Sequence, residues 1–362
     1  MPVQRALVLD HLLAMTDDVG LLQHAILDVP NRACGYCIDD AGRALVVACD
    51  AAARRATKAD GARLVTTYLA YLHDAQLDDG WFHNFMGYDR RWQDQRGTPD
   101  AVGRAIWGLG YAERHAPRAT WRAVAGSLRR RAHGAVPELV HVRSRAYAAL
   151  GLAHALAARP DDELALRALL DETVAGIASA FDEHAADGWR WCEDLMTYDN
   201  ARLCEALLRA GAALGNGRYV EIGLEMLEFY ASVVFEDHPD HGRIFVPVGS
   251  RGWYPRGGTK ARSGQQPLEA AAMVDAPLAA LDATGDERWL ERAEIAHAWY
   301  LGRNSFGIVV ATETGCCDGI DAATGSGEGV LNENMGAEST VCYLMSAKAL
   351  ASRSTRILHA AR

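Results

Sequence analysis

Residues 187–208 read DGWRWCEDLMTYDNARLCEALL. Asp187-Gly188 is a turn signal. Two tryptophans follow in alternation, Trp189 and Trp191, then the carboxylates Glu193 and Asp194, then Tyr198, Asp199, Asn200 and Arg202. From there the polarity stops. Leu203, Ala206, Leu207 and Ala210 recur at helical spacing, so a buried helix begins here, with Asp199 or Asn200 placed to cap it. A loop of acids and aromatics that runs straight into an apolar helix resembles the rim of a sugar site.

The same unit recurs on both sides of this stretch. Helices rich in Ala and Gly are predicted to start near residues 40, 101, 146, 201, 267 and 338. Amphipathic helices answer them at about 58–73, 121–133, 161–181, 219–234 and 287–301, and an opening one is predicted over 3–15 with Val3, Leu7, Leu12 and Leu13 on or near one face. A solenoid would hold a fixed period. Here the helices are constant and the loops before them vary, which points to a closed ring of helical hairpins. Inner helices crowd one another and need small residues; outer helices face water on one side. The loops that lead into the inner helices then gather at one end, beside the positive ends of the helix dipoles. The fold predicted is an all-α (α/α)6 barrel in one domain over 1–362.

Composition narrows the function. Net charge is −10 with no Lys/Arg block, which argues against nucleic acid. No run of 18 apolar residues exists and the first residues lack a signal-peptide pattern, so the expectation is a cytoplasmic protein that spans no membrane. Of eight cysteines, Cys34 and Cys37 form the only C-x-x-C, with no second pair or H-x3-H beside it. Reduced structural thiols are expected, with no metal and no cofactor.

Five of the nine tryptophans (Trp81, Trp92, Trp189, Trp191, Trp253) fall in the leading loops, together with Phe82, Phe85, Tyr88, Tyr198 and Tyr254. Aromatic faces stack on pyranose rings, and neighbouring polar groups bind hydroxyls. The polar set expected to bind substrate is Asp39, Arg43, Asn84, Arg90, Arg91, Arg104, Asn200, Arg256, Lys260, Gln265, Gln266, Glu269 and Glu338, beside the aromatics Tyr88, Trp92, Trp189, Trp191, Tyr198, Trp253 and Tyr254. Glycoside hydrolysis needs one protonated and one ionised carboxyl group. Glu193 is the first candidate for the acid, desolvated by its tryptophans and pushed further by Asp194. Asp40 and Asp89 are candidates for the base, and Asp194 and Asp199 complete the catalytic set. Asp39, Asp40, Asp100 and Asp199 are equally placed to cap helices. The arginines either neutralise these acids or bind an anionic substrate group. The glycine-rich stretch 249–264 is either a lid or a surface excursion; Lys260 is followed by Ala261, so it is not a phosphate loop.

GYCIDDAGRAL (35–45), NFMGYDRRWQDQ (84–95), WCEDLMTYDNARL (191–203), GWYPRGGTKARSGQQPLEAAAMVDA (252–276), LGRNS (301–305) and GAEST (336–340) together resemble a bacterial family of the six-hairpin glycosidase-like superfamily. Its members are commonly labelled glycosyltransferase- or glycosidase-related, and some sit C-terminal to a nucleotide-sugar glycosyltransferase. The resemblance runs from about His11 to Leu350. It implies the barrel and a carbohydrate ligand, and it suggests functional association with a glycosyltransferase. Ala41-Gly42 stands where an Asn-Ala pair is expected after the two aspartates, and Cys192 where an aromatic is usual. The expected activity is hydrolysis of a small oligosaccharide, by inversion. The alternatives are a sugar isomerase or epimerase, or a glycan-binding module without turnover.

Overall fold

The computed structural model describes residues 8–158, 163–324 and 326–360. The expected positions 3–7 of the opening helix and 161–162 of the third outer helix lie outside them. Twelve α-helices are described: α1 Asp10–Met15, α2 Ile38–Ala53, α3 Lys58–Ala75, α4 Pro99–His115, α5 Ala119–Arg131, α6 Val142–Ala158, α7 Glu163–His184, α8 Asn200–Leu214, α9 Gly217–Val234, α10 Pro267–Thr284, α11 Arg288–Ala298 and α12 Ala337–Ala360. The even-numbered helices pack on one another in order, and α12 packs back on α2, which closes the ring. Helices α3, α5, α7, α9 and α11 each pack outside the inner helix before them, and α1 packs on α12. This is the (α/α)6 barrel, with inner helices starting within four residues of the predicted positions.

The glycine content of the inner helices has a direct cause. A Cβ on Gly108 would stand 2.2 Å from the Gly42 carbonyl oxygen, and one on Gly110 2.0 Å from that of Gly151. Helices α2, α4 and α6 therefore cross with backbones in contact, closer than any side chain allows. Alanine fills the remaining inner faces: Ala41, Ala44, Ala48, Ala105, Ala149 and Ala206 are all fully buried. The outer helices bury one side only. In α9, Tyr219, Ile222, Met226, Leu227 and Tyr230 face in.

The leading loops are not bare. Short antiparallel ribbons stiffen them: Tyr36–Cys37 pairs with Phe85–Met86, Leu195–Met196 with Tyr254–Pro255, Phe235–His238 with Gly242–Phe245, and Gly319–Ala322 with Gly329–Asn332. Two of these join loops of different hairpins. The glycine-rich stretch is tied down as well, because the Lys260 ammonium donates to the Val233 and Val246 carbonyls at 2.8 and 2.9 Å and to Glu236 at 2.8 Å. All eight cysteines are free thiols, and all but Cys34 are buried. Among the described residues no helix is long and apolar enough to cross a membrane.

Candidate active site

Each inner helix begins with charge. Asp39, Asp40 and Arg43 stand on the first turns of α2, Asp100 and Arg104 on α4, Arg143 on α6, Arg202 on α8, Glu269 on α10 and Glu338 on α12. At the mouth these side chains find one another. Arg43 donates through Nη2 to Asp40 at 3.1 Å and to Glu338 at 2.7 Å, joining the first inner helix to the last. Arg104 pairs with Asp39 at 2.9 Å and donates to the Tyr147 hydroxyl at 3.0 Å, which donates to Asp199 at 2.7 Å. Arg143 pairs with Glu193 at 2.7 Å and reaches Asn200 at 3.2 Å. Arg202 pairs with Asp199 at 3.6 Å and Asp275 at 2.9 Å, and also with Glu205.

Asp199 does precede α8, but its side chain caps nothing. Its backbone is left-handed, with φ 50°, a conformation Asp tolerates better than most residues. The cap comes from α10 instead. The Glu269 carboxylate accepts the backbone N–H of Asp199 and, at 3.5 Å, that of Asn200, and takes the Tyr230 hydroxyl at 3.1 Å. Burial and the Asp199 charge push Glu269 up to about 7.

A cavity of about 330 Å3 opens above the junction of α2 and α12. It is lined by Asp40, a candidate base, and by Asp39, Arg43, Gln266 and Glu338 of the proposed binding set, together with Phe85, Gln23, His24, Asp318, Asn332 and Ser339. Its carboxyl groups differ in state. Burial pushes Asp40 up to about 7, reinforced by the charges of Glu338 and Asp39 and opposed by Arg43. Burial acts to raise Glu338 too, but Arg43 and Arg104 together outweigh it and hold that carboxyl below its usual range. Burial also raises Asp318, whose hydrogen bonds come from Ser339 and Asn334. One wall therefore offers a proton carrier beside an ionised carboxylate at neutral pH.

The other expected residues fall elsewhere. Glu193 stands in the same mouth, 31% exposed, but does not line this cavity. The tryptophans expected to desolvate it serve packing: Trp189 lies against Phe229 and Tyr254 with its indole N–H on the Glu193 carbonyl, and fully buried Trp191 lies against Tyr230. Asp194 turns outward to Arg256 at 3.3 Å and His184 at 3.4 Å; the Arg256 hydrogen bond, then His184, holds it below the usual range. Asp89 is exposed and accepts the Arg91 N–H at 3.2 Å, a local turn bond in place of a helix cap. Arg90 reaches Asp18 at the surface and Arg91 is solvent-exposed. Tyr88 stacks on Tyr36, and Trp92 lies between His83 and Tyr71. Asn84 is buried and accepts the Cys37 thiol; Gln265 is buried against Trp299 and Ser305. Tyr198 donates to Asp100 at 2.6 Å, under Arg143 and near Trp253.

Several cavity residues carried no signal strong enough to be chosen from sequence, among them Gln23, His24, Asp318 and Asn332. They arrive on loops fixed by long-range bonds, such as Met335 N–H to the Leu27 carbonyl and the Gln265–Ile320 bridge. Arg143 did carry one, because it repeats the early-helix position of Arg43, Arg104 and Arg202.

No family model matches the chain, and no curated protein matches its sequence. Solved structures do match in shape. The cellobiose 2-epimerase from Spirochaeta thermophila superposes with a TM-score of 0.69 at 12% identity, over 97% of this chain and 94% of that one. A D-mannose isomerase gives 0.68 at 11% identity, over 94% of each chain. The GH76 α-mannanase from Bacteroides thetaiotaomicron gives 0.58 at 10% identity, over 97% and 95%. At these identities the likeness is one of fold: the chain shares the (α/α)6 toroid with these proteins.

Proposed function

We propose that the protein is a carbohydrate-active enzyme that cleaves a glycosidic bond in the cavity above α2 and α12. The observation that carries this reading is the pair Asp40 and Glu338. One carboxyl is held near a pKa of 7 and the other is held ionised, side by side in a polar cavity. Asp40 donates its proton to the leaving oxygen. Glu338 attacks the anomeric carbon as the bond to the leaving oxygen breaks, and a water deprotonated by the now ionised Asp40 then displaces Glu338, returning the proton to Asp40. Because both oxygens bind one nitrogen of Arg43, they lie within about 6 Å of each other. That separation favours the retaining pair, about 5–5.5 Å apart, over the wider inverting gap expected from sequence. Phe85, the aromatic of the cavity wall, supplies a stacking face.

Isomerisation or epimerisation of a sugar is the second reading, favoured by the higher TM-scores of the epimerase and isomerase above. It needs the same proton carrier but no leaving group. Product analysis separates the two. Wild type, Asp40→Asn and Glu338→Gln are incubated with manno-, gluco- and galacto-oligosaccharides and with free hexoses. Release of monosaccharide by wild type, lost in both variants, supports hydrolysis, and NMR of the first-formed anomer decides retention. Interconversion of free hexoses supports the second reading. Binding of a glycan with no turnover by any form overturns both.

A further inference from the structure

The arginines of the mouth are all engaged by the protein itself. Arg43 spends Nη2 on Asp40 and Glu338, Nε on the Asp39 carbonyl and Nη1 on the Cys342 sulfur. Arg104, Arg143 and Arg202 are held by Asp39, Glu193 and Asp199 in the same way, each with further partners and each nearly buried. None presents an open fork to a bound phosphate or carboxylate, which is what recognition of such groups requires.

Acids outnumber cations on the cavity wall. Asp39, Asp40, Asp318 and Glu338 face Arg43, with Arg104 behind Asp39. One oxygen of Asp39 is buried with no hydrogen-bond partner, and the bonds of Asp318 come from neutral donors, Ser339 and Asn334. The smaller adjoining pocket, about 100 Å3, contains Arg251, but that side chain is paired with Asp321 at 3.3 Å and both line the pocket. The wall is thus rich in hydrogen-bond acceptors and carries excess negative charge. A ligand that donates hydrogen bonds fits it, and one that brings a second anion is repelled in a setting where screening is weak.

We propose that this cavity selects sugars bearing no anionic group, and that it holds a 2-amino sugar more tightly than the neutral parent. The inference rests on the reading of the cavity as a sugar site, and it names the class of sugar: uncharged or amino-bearing, with sugar phosphates and uronates rejected. The charge selection comes from Asp318, bonded only by neutral donors, and from Asp40 and Glu338 sharing the single guanidinium of Arg43 within the cavity.

The test is calorimetric binding, independent of turnover. The full-length protein at pH 7.5 and low salt is titrated with matched sets in the gluco, manno and galacto series: the hexose, its 2-amino-2-deoxy form, its 6-phosphate and its uronate. The expected order is amino sugar, then parent, with both anions weaker than the parent by about ten-fold or more (about 1.4 kcal/mol). Asp318→Asn is expected to bring the amino sugar down toward the parent. Should that variant fail to fold, salt reads the same charge in wild type: added NaCl weakens the amino sugar and strengthens the anions. An anion that binds more tightly than its parent overturns this inference and leaves the sugar-site reading standing. No heat from any sugar overturns both. The predicted order in a protein without turnover supports this inference and sinks the hydrolase reading.

Discussion

The two ends of the inner helices carry buried charge in opposite styles. At the base, Asp50 of α2 pairs with Lys348 of α12, and Tyr111 of α4 bonds both, at 2.7 Å each. Rings fill the space around them: Tyr111 lies 4.4 Å from His115 and 5.0 Å from His154. Burial pushes His115 down to about 4 and His154 well below its usual value, so both are neutral at physiological pH. At the mouth the same desolvation acts on acids and pushes Asp40 and Glu269 up to about 7. Burial takes charge off either kind of group. A histidine so treated has no proton to give at pH 7, whereas a carboxyl so treated is poised to give one. The mouth also keeps a cavity, whereas at the base aromatic and imidazole rings pack around the partly buried Asp50–Lys348 pair. One scaffold thus holds a packed ion cluster at one end and, at the other, the cluster we propose as the active site.

The sharpest test of that contrast is a pair of substitutions. Asp40→Asn is expected to lower kcat by about 10²–10⁴-fold with the circular dichroism spectrum intact. Lys348→Met at the base is expected to leave kcat within about two-fold and to cost about 3 kcal/mol in denaturant titration, since it strands Asp50. Equal losses of turnover from both would break the comparison. Next in size is Gly151→Ala, which places a methyl 2.1 Å from the Ile106 carbonyl oxygen. Guanidinium melts should show a loss of about 1–3 kcal/mol, because α4 must move away from α6.

The titration of the mouth gives a third test. Glu269 in the folded state binds its proton up to about pH 7, while in the unfolded chain it loses it near its ordinary 4.5. Between those values the folded state holds more protons, so this group's contribution to stability falls as pH rises from about 4.5 to 7 and is flat beyond. Glu269→Gln is expected to remove that fall, gaining about 3 kcal/mol on wild type between pH 4.5 and 8 in paired urea melts. The rate shares the sign: kcat/KM is expected to drop above pH 7 as Asp40 ionises. The smallest effects belong to the outer carboxylates. Asp89→Asn and Asp194→Asn should leave kcat/KM within about two-fold, as exposed ion pairs contribute little. A large loss in either would extend the site beyond the cavity to the outer loops.

Much of this arrangement was legible in the chain. Gly108, Gly110 and Gly151 betrayed crowded inner helices, and the charged residues in the first turns of these helices marked the mouth. Asp39, Asp40, Arg43, Gln266 and Glu338, which line the cavity, were named in advance because they sit within a turn of a recognisable helix start. Asp318 and Asn332 were not, because the loop that carries them has no periodicity and is positioned by pairing with residues far off in sequence. Trp189 and Trp191 misled for a related reason. Aromatics in a polar loop look ligand-facing until the outer helix beneath them, with Phe229 and Tyr230, is in view.

The bond between Arg43 and Glu338 spans 295 residues of sequence. During translation, at about 5–20 residues per second, roughly 15–60 s separate the emergence of the two. Asp318 and Glu338 are among the late arrivals. Over those 295 residues a nascent chain carries Asp40 and Arg43 with no partner across the mouth, so early hairpins are assembled around an unfinished centre. Ring closure and the birth of the site are then one event, and a ribosome-bound fragment that stops short of Asp318 is inert however well its first hairpins have folded.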